Sequence, residues 1–447
     1  MALSGLEIYK RLPKTNCKKC GFVTCLAFAM QLAAKKVSLD KCPTVSEEAK
    51  QLLDSAAQPP VKLVTIGTGE SRLEIGNETV MFRHEQKFFH PCGIGFQIED
   101  TTAAAALDKK MAAIIALSFE RIGQMIAPDF VCVKNSSGSS GTFVKVVETV
   151  AGKAGNLKLL LWSESAEPLR AALGVCKDRR PLIVGAKKDT VSAFAALAKE
   201  FNVPMSITAS SLDEAAELTQ KAKSAGVEEI VLDLKRTSLT DTIEENTLAR
   251  RMALKKNHRS LGYPLMTITE KTEKYQELAE AVSHIAKYSS IVVVKNTESD
   301  FVLPLLVARQ DIYTDPQKPV QVEAKVYEVG KVTKDSPVVI TTNFSITYFT
   351  VLGEVESSKV PSFIIPCDTE GMSVLTAWAA EKFTSESIDA ALKKFNVASL
   401  ISHKHIVIPG YVAVLSGKIE EDSGWKVSVG PKEASGLPNY LKSWKSN

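Results

Sequence analysis

The chain has 447 residues, a mean hydropathy of zero and 24% charged residues, a composition that fits a globular protein with room for two or three domains. No run approaches about 18 apolar residues, which argues against a membrane helix. The opening MALSGLEIYKRLPK lacks the apolar stretch and small-residue cleavage site of a secretion signal, so a cytoplasmic protein is expected. The net charge of +4 sits at one end: residues 1–60 carry nine Lys/Arg against five Asp/Glu, and the remainder carries 46 of each. No long basic tract with interleaved aromatics occurs, which argues against nucleic acid as a partner.

Four of the eight cysteines fall in the first 42 residues as C-x2-C-x4-C-x16-C: Cys17, Cys20, Cys25 and Cys42, followed by Pro43. A short helix is expected over residues 5–12, stopped by Pro13. Then comes the basic loop KTNCKKCG, whose Gly21 lets the backbone turn. Thr24 can cap a helix from Cys25 to about Lys36, and a second short helix is expected over EEAKQLLDSAAQ. In a reducing compartment such a cluster binds a common ligand rather than forming disulfides. Structural zinc usually pairs two C-x2-C knuckles, and the second half here has none. The unequal spacing and terminal Cys-Pro favour a [4Fe–4S] cluster, with zinc or unliganded core thiols as alternatives. The local positive charge suits an anionic metal–thiolate centre or an acidic partner. Cys92, Cys132, Cys176 and Cys367 lie in apolar surroundings and read as small buried hydrophobes.

Residues 61–90 contain VKLVTIG, a turn at Gly76–Asn77 and ETVMF, and predict a hairpin or two short strands that plug or cap the strands after them. From residue 93, apolar runs recur at 93–99, 130–135, 157–163, 181–187, 204–210, 229–235, 264–270 and 290–296, separated by amphipathic helical patterns. Runs that are short, nearly continuous and rich in Val and Ile are buried parallel strands. Eight strand–helix units match a TIM barrel, with a doubly wound open sheet as the alternative. The helix FVLPLLVARQDIY closes it. Polar residues at strand ends (Asp100, Asn135, Glu164, Asp233, Lys235, Glu270 and Asn296) form no recognisable catalytic set.

Residues 314–330 read as a linker, and a second α/β unit follows. Strands are expected at 338–343, 360–367, 405–410 and 425–431, with helices at 344–355 and 371–383 and a short one near Leu437–Trp444. The whole is an α/β multidomain chain: a cysteine module (1–60), a barrel with its hairpin (61–313), the linker (314–330) and a small Rossmann-like domain (331–447). The turn CDTEGMSV follows a strand and opens a helix, the place where open α/β sheets bind ligands. TTNFSIT, IPGYVA and EASGLP are expected on the same edge. Neither G-x-G-x-x-G nor G-x-x-x-x-G-K-[ST] is present, so nicotinamide and nucleoside triphosphate lack their fingerprints.

GLEIYKRLPKTNC-KKCG-FVTC, LDKCP, VVITTNFSITYFTV, CDTEGMSVLTAWA and PKEASGLPNY together resemble the large-subunit family of corrinoid iron–sulfur proteins, methyl carriers of the reductive acetyl-CoA (Wood–Ljungdahl) pathway. The resemblance covers essentially the whole chain. It implies a [4Fe–4S] module, a TIM barrel, and a C-terminal domain that binds a corrinoid beside a small partner subunit. It also implies methyl transfer from methyltetrahydrofolate by a separate methyltransferase, delivery to CO dehydrogenase/acetyl-CoA synthase, and a reductive activator as a further partner. Carried over by segment, Cys17, Cys20, Cys25 and Cys42 would hold the cluster. Thr341, Asn343 and Thr347 would approach the corrin. Thr369, Gly371, Met372, Ser373 and Val374 would line it, and Gly436 and Leu437 would close the pocket. None of the six histidines lies in D-x-H-x-x-G, a usual source of an imidazole for corrinoid cobalt, so a base-off corrinoid without a protein histidine ligand is expected. A pure electron-transfer protein and a zinc-containing barrel enzyme are the rival readings.

Overall fold

The computed structural model describes residues 5–33, 37, 39–46, 49, 59–69, 72–122, 124–234 and 238–445. Lys235 and most of the helix expected over 47–58 lie outside them. The chain divides into two compact units, residues 1–119 with 126–313 and residues 120–125 with 314–447.

In the first unit, helices Gly5–Arg11 and Cys25–Ala33 pack through Ile8, Leu12, Phe28 and Ala29. A hairpin comes next, Val64–Ile66 (β1) against Leu73–Ile75 (β2). Then come Gly93–Glu99 (β3), a small hairpin of Phe119–Arg121 (β4) and Gln124–Ile126 (β5) whose residues 120–125 are assigned to the second unit, Phe130–Lys134 (β6), Lys158–Trp162 (β7), Leu182–Ala186 (β8), Met205–Thr208 (β9), Ile230–Asp233 (β10), Leu265–Ile268 (β11) and Ser289–Val294 (β12). Among the described residues, β3 and β6 to β12 close into an eight-stranded parallel barrel. All eight apolar runs are strands of it. Both faces of each strand are covered, which is why polar residues do not interrupt the runs.

Phe130, Leu160, Leu182, Val231, Met266, Ile291 and Val293 fill the interior together with Val64, Ile66 and Ile75 of the hairpin. A Cβ on Gly95 would lie 2.2 Å from the carbonyl of Phe130 and 2.3 Å from its ring, so glycine there makes room for the phenylalanine. The hairpin closes the N-terminal mouth. The Lys62 amide donates to Gly262 O and the Gly67 amide to Arg180 O, both at 2.9 Å, and these acceptors precede β11 and β8. Thr65 N donates to Glu229 Oε1, just before β10.

The hairpin differs in one strand from the expectation. Its second strand is LEI, and ETVMF forms none. Gly76 and Asn77 both take left-handed conformations directly after β2. The amides of Met81 and Phe82 then go to the Glu85 carboxylate instead of a strand neighbour. Glu78 is drawn inward to Arg250, which also donates to Val80 O and lies over the rings of Phe88 and Tyr288.

The second unit holds Tyr327–Val329 (β13), Val338–Thr342 (β14), Ser362–Cys367 (β15), His405–Ile408 (β16) and Lys426–Val429 (β17), in the order β13-β15-β14-β16-β17. β14 to β17 are parallel, and β13 pairs antiparallel on the edge. The parallel strands run 2-1-3-4, the order of flavodoxin-like sheets. Alternate residues feed two apolar layers, Ile340, Ile365 and Ile406 on one face and Val339 and Ile364 on the other. The stretch expected to be a linker therefore supplies an edge strand. The helix expected from residue 371 starts later, at Val374–Ala379, because Glu370 and Gly371 are both left-handed.

Glu78 and Arg250 are both buried. Removing one partner of such a pair strands the other charge in the interior, a loss of about 3–5 kcal/mol. Arg250→Ala is expected to lower the urea midpoint of the first unit accordingly, and Arg250→Ala with Glu78→Leu to recover part of the loss, as followed by tryptophan fluorescence.

Candidate functional site

The cysteine module is built on an irregular loop. Lys14, Asn16, Lys18 and Gly21 all take positive φ, which turns the chain repeatedly over a few residues. Asn16 Oδ1 accepts from Cys25 N at 2.8 Å and fixes the start of the following helix. Cys25 and Cys42 are buried and Cys17 and Cys20 half-buried. Thr44 contacts two of them, with its Oγ1 3.7 Å from Cys42 Sγ and a hydrogen bond to Cys17. The Lys19 amide, then the Thr15 hydroxyl, hold the Cys17 thiol below its ordinary pKa, which favours the ligating thiolate. Among the described residues no three His, Cys, Asp or Glu side chains are already arranged around a metal position. All eight cysteines are free. Burial pushes Cys132, Cys176 and Cys367 up to about 12, as expected of apolar core residues.

The second candidate lies at the C-terminal edge of the small sheet. Thr341 and Thr342 end β14, and Asn343 follows at its tip. Asn343 Oδ1 accepts from the amides of Thr369 and Gly371 at 3.0 Å and from Thr369 Oγ1 at 3.1 Å. Its Nδ2 donates to Gln321 Oε1 and Asp368 Oδ1. The asparagine thus contributes to this edge through the turn it shapes. Thr369 is fully buried in that turn, and Met372 and Val374 pack on the core below it. Ser373 Oγ pairs with Thr376 Oγ1 near the surface. Gly436 abuts Pro431, where a Cβ would approach to 2.7 Å.

β14 and β16 diverge here, because helices on opposite faces follow them. Between them lies a cavity of about 100 Å³ lined by Thr341, Thr347, Val374, Tyr411, Pro431 and Leu437 among others. It brings together four of the expected residues, Thr341, Thr347, Val374 and Leu437. The hydroxyls of Thr341 and Thr342 are buried and carry no hydrogen-bond partner. A buried hydroxyl left this way costs about 1–3 kcal/mol, which suits a site that a ligand completes.

The edge is also apolar. Ile346 is 67% exposed, Leu375 45%, Trp378 41%, Tyr411 42% and Val414 71%. All five follow the C-terminal ends of β14, β15 or β16. Single exposed apolar residues are ordinary, but a cluster at a sheet edge marks a binding surface. The sequence reading missed these five, because apolar residues in helical patterns look like core. The IPGYVA run at the expected edge was the available signal for Tyr411. His403 and His405 lie at the other end of the sheet, bonded to Ser336 O and Ser428 Oγ and packed on Trp444. No imidazole among the described residues of this unit reaches the apolar edge.

The barrel rim gathers Glu164, Asp233 and Glu270 with Lys134 and Lys295 around a cavity of about 540 Å³. Asp100, just after β3, is spent on the loop after β6, accepting from Ser136 N and Ser137 N. Asn135 donates to Ser163 Oγ, and Asn296 Oδ1 accepts from Glu298 N. No described helix is long and apolar enough to cross a membrane.

Two family models match: "CO dehydrogenase/acetyl-CoA synthase delta subunit" over residues 63–441 and "Putative Fe-S cluster" over residues 12–44. The chain is 43% identical to the corrinoid/iron-sulfur protein large subunit of Moorella thermoacetica over 443 residues, 99% of each chain. It is 34% identical to the acetyl-CoA decarbonylase/synthase complex subunit gamma of Methanothermobacter thermautotrophicus, again over 99% of each. The corresponding subunit of Methanosarcina acetivorans is 33% identical over 464 residues, covering 99% of this chain and 98% of that one. With its parallel barrel, cysteine module and apolar sheet edge, the chain belongs to the family of corrinoid/iron–sulfur protein large subunits, the gamma subunits of acetyl-CoA decarbonylase/synthase complexes.

Proposed function

We propose that this chain is the methyl carrier of its complex. It would hold a corrinoid on the C-terminal edge of the small sheet and a [4Fe–4S] cluster on Cys17, Cys20, Cys25 and Cys42. The observation that carries the reading is the apolar edge over the β14/β16 cavity: a surface suited to a large flat ligand, with a recess for an appendage and no imidazole within it. The corrinoid supplies a cobalt that accepts and gives up a methyl group, and the cluster supplies single electrons that return oxidised cobalt to its nucleophilic state.

The chain's own residues do the rest. Ile346, Leu375 and Trp378 cover the ring and exclude water. Thr341, Thr347, Val374 and Leu437 shape the recess with Gly436 next to Leu437, and Thr369, Gly371, Met372 and Ser373 present backbone and side-chain groups beneath the ring. Axial-ligand identity is a main lever on a bound metal's potential. A site with no histidine at this edge would hold a corrinoid without a protein imidazole, which would make its cobalt easier to reduce. Cys17 and Cys20 on the irregular loop, with Cys25 and Cys42 beyond it, would bind the cluster, and Lys18 and Lys19 would offset its negative charge. Methyl would come from methyltetrahydrofolate through a methyltransferase and pass to CO dehydrogenase/acetyl-CoA synthase. The small subunit completes the corrinoid site, and a reductive activator assists recovery. Free cysteines throughout fit a cytoplasmic setting.

Anaerobic purification with the small subunit is expected to give cobalt, about four irons per heterodimer and a corrinoid absorption spectrum. Iron without cobalt would favour a pure electron carrier, and zinc without a chromophore a barrel enzyme. For the cluster, Cys20→Ala is expected to abolish recovery of oxidised cobalt by a protein electron donor, yet to leave methyl transfer intact once cobalt is reduced chemically. Loss of transfer from chemically reduced protein would sink this division of labour.

A further inference from the structure

The turn over residues 368–373 carries internal hydrogen bonds, from Glu370 N to Asp368 Oδ1, Met372 N to Thr369 O and Thr369 Oγ1 to Met372 O, but it also leans on groups outside it. Glu370 (φ 56°) and Gly371 (φ 74°) are consecutive left-handed residues, and glutamate bears a Cβ penalty there. The turn is fixed from outside by Asn343, whose Oδ1 takes three donors from Thr369 and Gly371. An amide can do this only if its orientation is fixed, because rotation by half a turn would present N–H groups to those donors. Asp368 accepts one Nδ2–H at 3.1 Å. Gln321 accepts the other at 3.2 Å.

Gln321 comes from the stretch that enters the domain, and that stretch is itself held in register. The Val322 amide donates to Asn343 O at 2.9 Å and the Ser345 amide to Val320 O at 3.0 Å, around an antiparallel bridge between Gln321 and Phe344. The side chain also packs on the turn directly. A Cβ on Gly371 would lie 2.6 Å from Gln321 Cγ and 3.1 Å from Pro319. One side chain therefore touches the turn twice, by a hydrogen bond through Asn343 and by contact at Gly371.

We propose that Gln321 is a positioning residue that sets the corrin-facing turn, acting through the Asn343 amide and by packing on Gly371. This rests on the corrinoid reading of that edge. No local pattern signals it, since Gln321 lies in a proline-bounded polar stretch that reads as linker. The consequence is that the segment entering the domain and the face of the cofactor site are mechanically one piece.

Gln321→Met keeps the chain length and removes the acceptor, whereas Gln321→Glu keeps an acceptor. In the full chain without corrinoid, amide hydrogen exchange at Thr369 and Gly371 is expected to quicken about five-fold in Gln321→Met, the worth of one net hydrogen bond, and to stay near wild type in Gln321→Glu. Corrinoid titration of the complex with its small subunit is expected to follow the same order. Gly371→Ala should weaken corrinoid binding further, and Gln321→Ala in the same chain should restore part of it by removing the obstructing Cγ. Unchanged exchange in Gln321→Met, or strictly additive effects at 321 and 371, would overturn the proposal. If exchange responds as expected but the wild-type complex takes up no corrinoid, the brace stands and the corrinoid reading falls.

Discussion

Parallel strands in one sheet send all their outgoing loops to the same end, and both α/β units of this chain depend on that constraint. In the barrel it gathers eight loops at one mouth while the β1/β2 hairpin fills the other. In the small sheet it gathers the turns after β14, β15 and β16. The order 2-1-3-4 then does something the barrel cannot do. The connections after β14 and β16 leave to opposite faces, so a crevice opens between them without removing any core residue. Thr341, Val374 and Leu437 meet there from three distant parts of the chain because the sheet brings their loops to one edge.

Much of this was legible in the sequence, and the legible parts share a cause. A strand buried on both faces must be apolar throughout, so 130–134 and 291–294 read as strands without ambiguity. The parts that were misread have their hydrogen bonds elsewhere. ETVMF has strand-like side chains, but Glu85 takes the amides of Met81 and Phe82 and Arg250 draws Glu78 inward. β13 was hidden because a three-residue edge strand, half exposed, carries no apolar run. The cysteine cluster stood out because four thiols within 26 residues form a local pattern. Asn343 was recognised as part of the edge, but its role depends on partners 22 and 25 to 28 residues away. No local pattern encodes such a hub.

The edge combines two kinds of stabilisation that act differently on a ligand. Covering a large apolar side chain contributes on the order of 1–2 kcal/mol when half of it is buried. That contribution is indifferent to orientation, since apolar burial has no direction. Five such side chains give affinity for any flat hydrophobic body and no fixed pose. The unpartnered hydroxyl of Thr341, which lines the cavity, and the backbone of the 368–373 turn can supply direction instead. The turn is braced by Asn343, to which Gln321 is hydrogen-bonded. If the chain is the carrier proposed above, a cofactor that meets more than one partner would need this separation. On the proposed reading, the apolar face would retain the ring while its exposed side changes company, and the turn would keep the ring in register. Absence of an imidazole fits the same logic, because a strong axial ligand would tie the cofactor's redox state to its position. On the proposed reading, retention and reactivity would then be set by different residues.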